Sequence, residues 1–505
     1  MGRRRPFGIY WRYRARRLFA PFARLRTWRL LHRSRADAAQ RDRARTAWWG
    51  ADPRWFVGGT PPRAQNRVLP LVDGERFFAA LHADLLAARH YVYIAGWCFT
   101  PELPLRRGTT ALLEETRLLA VLGELAERLP VRLLIWSGSS VLFQPTTTVA
   151  AAAQETMLRV VGDLRYVLDR CSQPTHTQHQ KAIVIDGQIA YVGGMDLTTY
   201  QGDRWDTPAH PLRVGPNWHD VQLRLQGETV ADVEANFRQR WGAVAAEALP
   251  PSRTPALDPT WGTPAQIVRT IPPRTYPFAP RGEFGIHHVY LQALRDARRL
   301  IYLGNQYLWS PRVMDVLLAL LAKPPDPAFR IVLVLPAQAE DGKFDNDQHV
   351  ARLRDADAGR GLVSVYCPYT CGIGPGQRAF TYHPIYLHAK VAIIDDAWCI
   401  VGSANLNERG LIGDTELNAV VRDAAVARAL RLELWSEHLG LSAEALAAGD
   451  PTTLIDERWT SHAAHNLAIM RAGGRPLIGT VRRYDPGRMP GARIIEEAQA
   501  LTLEH

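Results

Sequence analysis

One phrase occurs twice in this chain at a fixed spacing, and this repeat constrains the fold more than any other feature. HQKAIVIDGQIAYVGGMD begins at His179, and HAKVAIIDDAWCIVGSAN begins at His388. Both copies read His-x-Lys-x4-Asp, and a Gly-Gly or Gly-Ser pair follows after six more residues. The offset between the copies is 209 residues. A long internal repeat of this kind predicts a molecule with two similar lobes.

Each copy of the phrase predicts two short buried strands joined by a tight turn. AIVID and AYVGG in the first copy, and VAIID and CIVGS in the second, are apolar runs bounded by turn residues. Alternate side chains of a strand share a face, so His179 and Lys181 point the same way. The same holds for His388 and Lys390. The acids that end the first run of each copy are assigned a structural role: Asp186 and Asp395.

Two imidazoles and two ammonium groups would converge on one pocket if the lobes pack face to face. This set suits reactions of a phosphodiester, because lysines can balance the charge on its equatorial oxygens in the transition state. One imidazole can attack phosphorus and carry the phosphoryl group covalently. The other can protonate the leaving alkoxide and then deprotonate the incoming water or alcohol. The residues do not order the two histidines, and they predict no metal in the catalytic centre and no cofactor.

The repeat extends beyond the motifs. LVDGERFFAALHADLLAARHYVYIAGW and HHVYLQALRDARRLIYLGNQYLW each predict a helix followed by a strand, and Tyr93 and Tyr302 in them stand 209 residues apart. VRLLIW and FRIVLVL predict further buried strands. We therefore predict an α/β fold of two similar lobes, each a mixed β-sheet flanked by helices. The lobes would pack as a pseudo-twofold pair with the active site between them.

An acid opens an apolar strand downstream of each motif. Asp220 stands in WHDVQLRL, and Glu416 stands in ELNAVV. A carboxylate that accepts the Nδ1–H of a histidine fixes its tautomer and stabilises the imidazolium. We expect these two acids to orient the two histidines.

Small and polar residues after each motif are assigned to the substrate phosphate. Asn405 can donate a hydrogen bond to an oxyanion, whereas an ionised Asp196 cannot, so the lobes are not fully symmetric. With Lys181 and Lys390, Asn405 is expected to hold the phosphate. The full set of predicted substrate-binding residues is Asn405, Ser403, Asn407, Gly194 and Asp196.

The paired motif resembles the signature of the phospholipase D superfamily, and the resemblance covers residues 68–440. The segment GDRWDTPAHP, residues 202–211, is similar to an element that follows the first motif in eukaryotic-type members. Asn305-Gln306 resembles part of another such element, although Gly304 stands where Glu is usual. The resemblance implies that His179 is the nucleophile and His388 the acid/base.

The resemblance further implies a phospholipase D that cleaves a glycerophospholipid such as phosphatidylcholine to phosphatidic acid and a free headgroup alcohol. A covalent phosphohistidine also permits transfer to another alcohol. The alternatives are a cardiolipin or phosphatidylserine synthase with the same chemistry, and a phosphodiesterase acting on nucleic acid. A membrane-binding scaffold with a dead site is disfavoured because both histidines and both lysines are present.

Charge is concentrated at the start of the chain. Residues 1–50 carry fifteen Arg, no Lys and two Asp, a formal charge of +13, whereas the whole chain carries +11. Arginine mixed with aromatic residues predicts an arm that binds anionic lipid at a membrane surface. Nucleic acid is disfavoured because the rest of the chain is near neutral. We expect a monomer that is cytoplasmic and peripheral to the membrane, with export left open by twin arginines near the start.

Composition shifts predict the domain boundaries. The basic aromatic arm covers residues 1–50, the first lobe 65–246, a Pro-rich linker 247–282, the second lobe 283–445 and a C-terminal extension 446–505. The five cysteines form an odd, scattered set, which indicates reduced thiols and no disulfide framework.

Overall fold

The structure is a computed structural model that describes residues 55–56, 59–139, 144–171, 176–338 and 343–486. The basic arm predicted for residues 1–50 and the end of the predicted C-terminal extension lie outside these ranges. All five cysteines are free thiols. None of the helices in the described ranges combines the length and the apolar character needed to span a bilayer.

The first lobe is a seven-stranded sheet with helices around it. Its strand order is β1-β8-β6-β5-β2-β3-β4. Strands β2, β3 and β4 run parallel, and the remaining neighbours are antiparallel, so the sheet is mixed. The elements are β1 (Asn66–Val72), α1 (Asp73–Ala87), β2 (Val92–Gly96), α2 (Thr110–Glu115), α3 (Leu118–Ala126), β3 (Val131–Trp136), α4 (Thr147–Met157), β4 (Leu164–Asp169), β5 (Ala182–Ile185), β6 (Ile189–Gly193), β7 (Asn217–His219), β8 (Val221–Gly227) and α5 (Thr229–Val244).

The second lobe repeats this topology strand for strand. Its sheet contains the order β9-β17-β16-β15-β11-β12-β13, in which β11, β12 and β13 are parallel. The elements are β9 (Ala265–Ile271), β10 (Glu283–Phe284), α6 (Gly285–Asp296), β11 (Leu300–Asn305), α7 (Pro311–Ala322), β12 (Arg330–Val334), α8 (Lys343–Asp357), β13 (Val363–Gly372), β14 (Thr381–Leu387), β15 (Lys390–Ile394), β16 (Trp398–Gly402), a π-helix (Arg409–Gly413), β17 (Glu416–Val421) and α9 (Ala424–Leu439). The predicted two-lobed α/β fold with mixed sheets is confirmed.

The segment after the second lobe is helical and packs on it. It contains α10 (Ala443–Ala447), α11 (Pro451–Thr453), a π-helix (Leu454–Trp459), α12 (Thr460–Ala472) and β18 (Val481–Arg483). Strand β18 pairs with β13 and so extends the second sheet. Trp459 is fully buried against Trp435 of α9. The described part of the predicted extension therefore shares the core of the second lobe.

The two sheets pack against each other through one shared apolar core. β6 and β8 of the first lobe contact β16 and β17 of the second. Val192 and Leu223 come from one side of this core, and Val401 and Ala419 from the other. The last helix of each lobe crosses over, because α5 contacts β9 and α9 contacts β1. Each sheet is thus covered on both faces, which explains why the motif strands are apolar without alternation.

Two segments differ from the sequence-based expectations. WHDVQLRL was expected to form one strand, but it divides at Asp220 into β7 and β8. β7 leaves its own sheet and pairs in parallel with β14 of the second lobe, with Leu387 opposite His219. The segment predicted as a linker, 247–282, includes β9, which pairs with β17 inside the second sheet. The prolines of that segment lie before and after β9, at Pro250–Pro264 and Pro272–Pro280.

The acid of each motif organises the turn that precedes β2 in the first lobe and β11 in the second. The carboxylate of Asp186 accepts hydrogen bonds from the backbone N–H groups of residues 89, 90 and 91, at 2.7–2.9 Å. Asp395 accepts from those of residues 298, 299 and 300, at 2.7–2.8 Å. Both aspartates also adopt positive φ at the hairpin turn, 57° and 53°, a conformation that Asp tolerates better than most residues. These contacts support the structural role predicted for both aspartates.

We predict that Asp186→Asn lowers the free energy of unfolding by about 2 kcal/mol, because the amide can no longer satisfy all three N–H groups. Urea denaturation followed by circular dichroism measures the change. The matched control is Asp355→Asn, which alters an exposed aspartate of α8 and should change stability by less than about 0.5 kcal/mol. Equal midpoints for the two variants would contradict this role for Asp186.

Candidate active site

His179 is held by an acid of the opposite lobe. Its Nδ1 lies 2.9 Å from Oε1 and 3.0 Å from Oε2 of Glu416. The backbone supports this contact, because the N–H of His179 donates to the carbonyl of Thr415 at 2.9 Å. The residue that follows that carbonyl is the acid itself. A main-chain hydrogen bond between the lobes therefore sets the position of the carboxylate against the imidazole.

His388 repeats the arrangement with the lobes exchanged. Its Nδ1 lies 2.6 Å from Oδ2 of Asp220. Its backbone N–H donates to the carbonyl of His219 at 2.8 Å, and the acid again follows that carbonyl. The site thus has pseudo-twofold symmetry, and each histidine depends on the other lobe for its partner. A carboxylate at Nδ1 leaves Nε2 as the nitrogen that can react.

The predicted lysines lie beside the histidines but have unequal partners. Nζ of Lys181 forms a 2.9 Å ion pair with Asp196 and lies 5.7 Å from the ring centroid of Trp97. Nζ of Lys390 instead donates to Oε1 of Gln306 at 3.0 Å. Each lysine also donates to the carbonyl of the histidine in its own motif. The second lobe therefore supplies a cation that has no direct carboxylate partner within the described residues.

Burial controls the protonation of the site. Burial, assisted by the positive charges of Lys181 and Lys390, lowers the pKa of His179 well below its usual value. Burial and the charge of Lys390 lower the pKa of His388 in the same way. The lowered pKa keeps the imidazole of His179 neutral at neutral pH, as a nucleophile requires. Burial also lowers the pKa of Lys390 to about 7.

A glycine and a serine at equivalent positions make room for the two acids. A Cβ at Gly194 would lie 2.1 Å from Oδ1 of Asp220, so this position must be glycine while the acid stays in place. Ser403 takes the corresponding place in the second lobe. Its hydroxyl donates to Oε2 of Glu416 at 2.5 Å and accepts from the N–H of Leu417 at 3.0 Å. Both residues therefore lie against a carboxylate of the site, and their assignment to the substrate phosphate stays a prediction.

The other residues assigned to the phosphate also have specific structural contacts. Asp196 accepts from the N–H of Trp97 at 2.8 Å in addition to its pair with Lys181, because a buried carboxylate needs such partners. Oδ1 of Asn407 accepts from the N–H of Gly410 at 2.7 Å and so caps the π-helix. Asn405 lies between the motif hairpin and that helix and is 7% exposed. Within the described residues, Oδ1 of Asn405 is buried and has no hydrogen-bond partner, so its amide remains the candidate to contact the phosphate.

Sequence reasoning missed a second pair of equivalent residues, Gln222 and Asn418. Their side-chain oxygens accept from the backbone N–H groups that follow the Gly-Gly and Gly-Ser pairs, at 3.3 Å for Met195 and 3.2 Å for Ala404. The glycines Gly193 and Gly402 leave space for these amides, since a Cβ would lie 2.2 Å from the amide oxygen in both lobes. The signal was available in the sequence, because each amide stands two residues after its acid.

Aromatic rings also surround the histidines. The centroid of Trp218 lies 5.0 Å from that of His388, and Trp97 meets His179 edge-on at 6.2 Å. The guanidinium of Arg204 lies 4.2 Å from the ring centroid of Trp218 and belongs to the GDRWD segment. This segment, which the sequence placed next to the active site, therefore supports the ring that packs on the second-lobe histidine.

Comparison with known proteins agrees with this geometry. A family model described as phospholipase D matches residues 84–217, and one described as cardiolipin synthase, PLD-like domain, matches residues 290–437. The chain belongs to the phospholipase D superfamily. The two matches correspond to the two lobes and confirm the internal repeat predicted from the paired motif.

Curated relatives carry the same family name. Phospholipase D A of Dictyostelium discoideum is 27% identical over 464 residues, covering 75% of this chain and 36% of the relative. Phospholipase D1 of Saccharomyces cerevisiae is 24% identical, covering 78% of this chain and 30% of the relative. This chain thus spans about a third of the length of these two relatives. Among solved structures, phosphatidylserine synthase of Haemophilus influenzae aligns with a TM-score of 0.48 and 12% identity, covering 81% of this chain and 97% of that one.

We predict that Gly194→Ala reduces phosphodiester turnover about a hundredfold with the fold retained, because the new Cβ displaces Asp220 from His388. The control is Gly242→Ala in α5, where a Cβ would meet no atom within 4 Å. Steady-state rates and circular dichroism of both variants measure the effect. Full activity of Gly194→Ala would show that the position of Asp220 is not needed.

The pKa shifts predict the pH dependence of kcat/KM. Neutral His179 persists well below pH 6.5 because its pKa is lowered, so the acid limb lies below that value. Lys390 loses its charge as the pH rises through about 7, so kcat/KM should fall above that pH. A soluble phosphodiester whose own charge is constant from about pH 5 to 9 provides the measurement. The residual activity of Lys390→Met should lack the fall centred near pH 7, and a wild-type profile without that fall would contradict the assignment.

Proposed function

We propose that this protein is a phospholipase D that hydrolyses a glycerophospholipid such as phosphatidylcholine to phosphatidic acid and a free headgroup alcohol. The observation that carries the proposal is the pair of histidines, each with Nδ1 on a buried carboxylate and each beside a lysine. Two such groups suit a reaction in which one imidazole attacks while the other moves a proton. The names of the curated relatives support the lipid substrate.

The first step forms a covalent intermediate. Nε2 of His179 attacks phosphorus, and the bond between phosphorus and the headgroup oxygen breaks. His388, in the form that carries a proton on Nε2, donates that proton to the departing alkoxide and becomes neutral. Lys181, Lys390 and Asn405 stabilise the charge on the non-bridging oxygens. Glu416 stabilises the positive charge that His179 acquires, and this stabilisation is the role of an oriented carboxylate.

The second step releases the product. Water attacks phosphorus, His388 takes its proton, and the bond between phosphorus and His179 breaks. Phosphatidic acid leaves, and His179 is restored. A primary alcohol can replace water in this step, and the product is then a phosphatidyl alcohol. The assignment of the two histidines follows the family pattern, because the geometry of the site is nearly symmetric.

A phosphatidyltransferase of the synthase type is the second candidate. It is favoured by the match of residues 290–437 to a family model described as cardiolipin synthase, PLD-like domain. The same histidines and lysines would act, and the acceptor in the second step would be the hydroxyl group of another lipid or of a small alcohol. The two candidates differ in which acceptor reaches the phosphohistidine.

We also propose that the enzyme works on the cytoplasmic side of a membrane as a peripheral monomer. The arm of residues 1–50, with a formal charge of +13, would bind anionic lipid, and the two lobes would act on phospholipid at the surface. The domain boundaries proposed from the sequence then separate a membrane-binding arm from the catalytic lobes.

Vesicles of phosphatidylcholine, with and without a primary alcohol, test the proposal. The wild type should produce phosphatidic acid, and part of it should be replaced by phosphatidyl alcohol when alcohol is present. His179→Ala should lose at least about a thousandfold of both activities, because the substitution removes the imidazole assigned to carry the phosphoryl group. His383→Gln changes an exposed histidine of β14 and is the matched control.

Two outcomes would contradict the proposal. Phosphatidic acid formation by His179→Ala at the wild-type rate would exclude the covalent mechanism at that residue. If the wild type forms no phosphatidic acid from phosphatidylcholine but transfers a phosphatidyl group to a hydroxyl-bearing lipid, the protein is a synthase. If neither lipid reaction occurs, DNA is the next phosphodiester to test.

A further inference from the structure

A second cluster of histidines and acids lies behind the active site. It consists of Asp73 at the start of α1, His210, His219 at the end of β7, and Glu437 of α9. The side chains of all four are between 0 and 3% exposed. The first three come from the first lobe, and Glu437 comes from the second. We call this group the buried His–carboxylate cluster.

The atoms of this cluster converge on one point. Nδ1 of His219 lies 3.0 Å from Oδ1 of Asp73 and 3.0 Å from Oε1 of Glu437. Nε2 of His210 lies 3.0 Å from Oε1 of Glu437 and 3.5 Å from Oδ2 of Asp73. In a tetrahedral zinc site, bonds of 2.0–2.1 Å place neighbouring ligand atoms roughly 3.3 Å apart. The imidazole nitrogens lie 3.0–3.5 Å from the carboxylate oxygens, with Asp73 in contact through both of its oxygens. One ligand atom from each of the four residues lies within 4.8 Å of the other three.

The cluster also leaves buried polar atoms without partners. Oδ2 of Asp73 and Oε2 of Glu437 receive no hydrogen bond from any described residue, and both atoms are inaccessible to solvent. Buried carboxylate oxygens are costly without a donor or a cation. The backbone of Asp73 adds to this cost, because its φ is +64° in a fully buried residue. An ion at the centre would satisfy the carboxylates together.

The surroundings of His210 match those of a metal ligand. Its Nε2 faces the cluster, and its Nδ1 lies 3.1 Å from Oδ2 of Asp206. Asp206 is in turn held by the N–H of Trp218 and the amide of Asn217, at 2.9 and 3.0 Å. A histidine that binds a metal through one nitrogen usually presents the other to a carboxylate. Arg213 lies 3.5 Å from Asp206 and balances its charge, so two negative charges remain inside the cluster.

We propose that Asp73, His210, His219 and Glu437 bind one divalent zinc ion, with one nitrogen or oxygen from each residue. A set of two imidazoles and two carboxylates suits zinc, which accepts both donor types in tetrahedral geometry. The charges also balance, because one dication with two neutral histidines carries the same total charge as two imidazolium ions. The competing arrangement is therefore a metal-free cluster in which both histidines are protonated. Nearby carboxylates raise the pKa of His210 to about 10, which suits that arrangement.

The ion would be structural and would support the acid of the active site. The N–H of Asp73 donates to the carbonyl of Asp220 at 2.9 Å, and the N–H of Asp220 donates to Oδ1 of Asp73 at 3.3 Å. His219 is the residue whose carbonyl binds the backbone of His388. A zinc ion would therefore fix the chain on both sides of the contact between Asp220 and His388. It would take no part in the reaction at phosphorus, and this inference does not rest on the proposed function.

Metal analysis of the full-length protein, purified without chelator, tests the proposal. We expect about one zinc per chain by inductively coupled plasma mass spectrometry. Removal by a strong chelator should lower the melting temperature by several degrees, and added zinc should restore it. His210→Gln should lose the zinc, whereas His383→Gln, which changes an exposed histidine, should keep it.

The result that would overturn the proposal is equally direct. Wild-type protein with far less than one metal per chain, and with a melting temperature that neither chelator nor zinc changes, would establish the metal-free ion-pair cluster. Zinc retained in full by His210→Gln would also reject this site. If the variant fails to fold, the wild-type measurements still decide. These readouts need no substrate, so a chain that binds zinc but leaves phosphatidylcholine intact would reject the proposed function alone.

Discussion

The contact between a histidine of one lobe and a carboxylate of the other is the interaction on which the rest of the structure depends. It occurs twice, and each time the histidine N–H bonds to the carbonyl just before the acid. The imidazole orientation, the tautomer and the lobe interface are therefore set by the same few atoms. The shared apolar core stabilises the docking of the lobes, but the two polar contacts fix their register.

Symmetry in the backbone coexists with asymmetry in charge. The strand orders of the lobes are the same, yet Lys181 is paired with Asp196 whereas Lys390 bonds to the neutral Gln306. The residue equivalent to Asp196 in the second lobe is Asn405, which adds no charge. The two histidines thus experience different fields, although their contacts match. This difference in charge can make one imidazole the nucleophile and the other the group that transfers protons.

Much of the fold could be predicted because each strand of the repeat appears twice in the sequence at the same offset. Strands that recur at a fixed offset are stronger signals than propensity alone. His179 and Lys181 precede β5, and His388 precedes β15, so these residues lie at the strand ends rather than within the predicted strands. The exchange of partners between lobes could not be predicted, because local patterns do not report which edge a strand such as β7 will join. The same limit explains the buried His–carboxylate cluster, whose members are spread over residues 73–437.

The passage of β7 into the second sheet has a consequence for how such a molecule can arise from a duplicated unit. A single lobe would keep its own sheet, but it would lack the strand and the acid that its twin supplies. After the exchange, β14 needs β7 as its neighbour, and His388 needs the residue that follows β7. A substitution in either half of the chain can therefore disturb a contact that the other half needs. Substitutions in one half are tested against the other half, so the two repeats must evolve as one unit even while their sequences diverge.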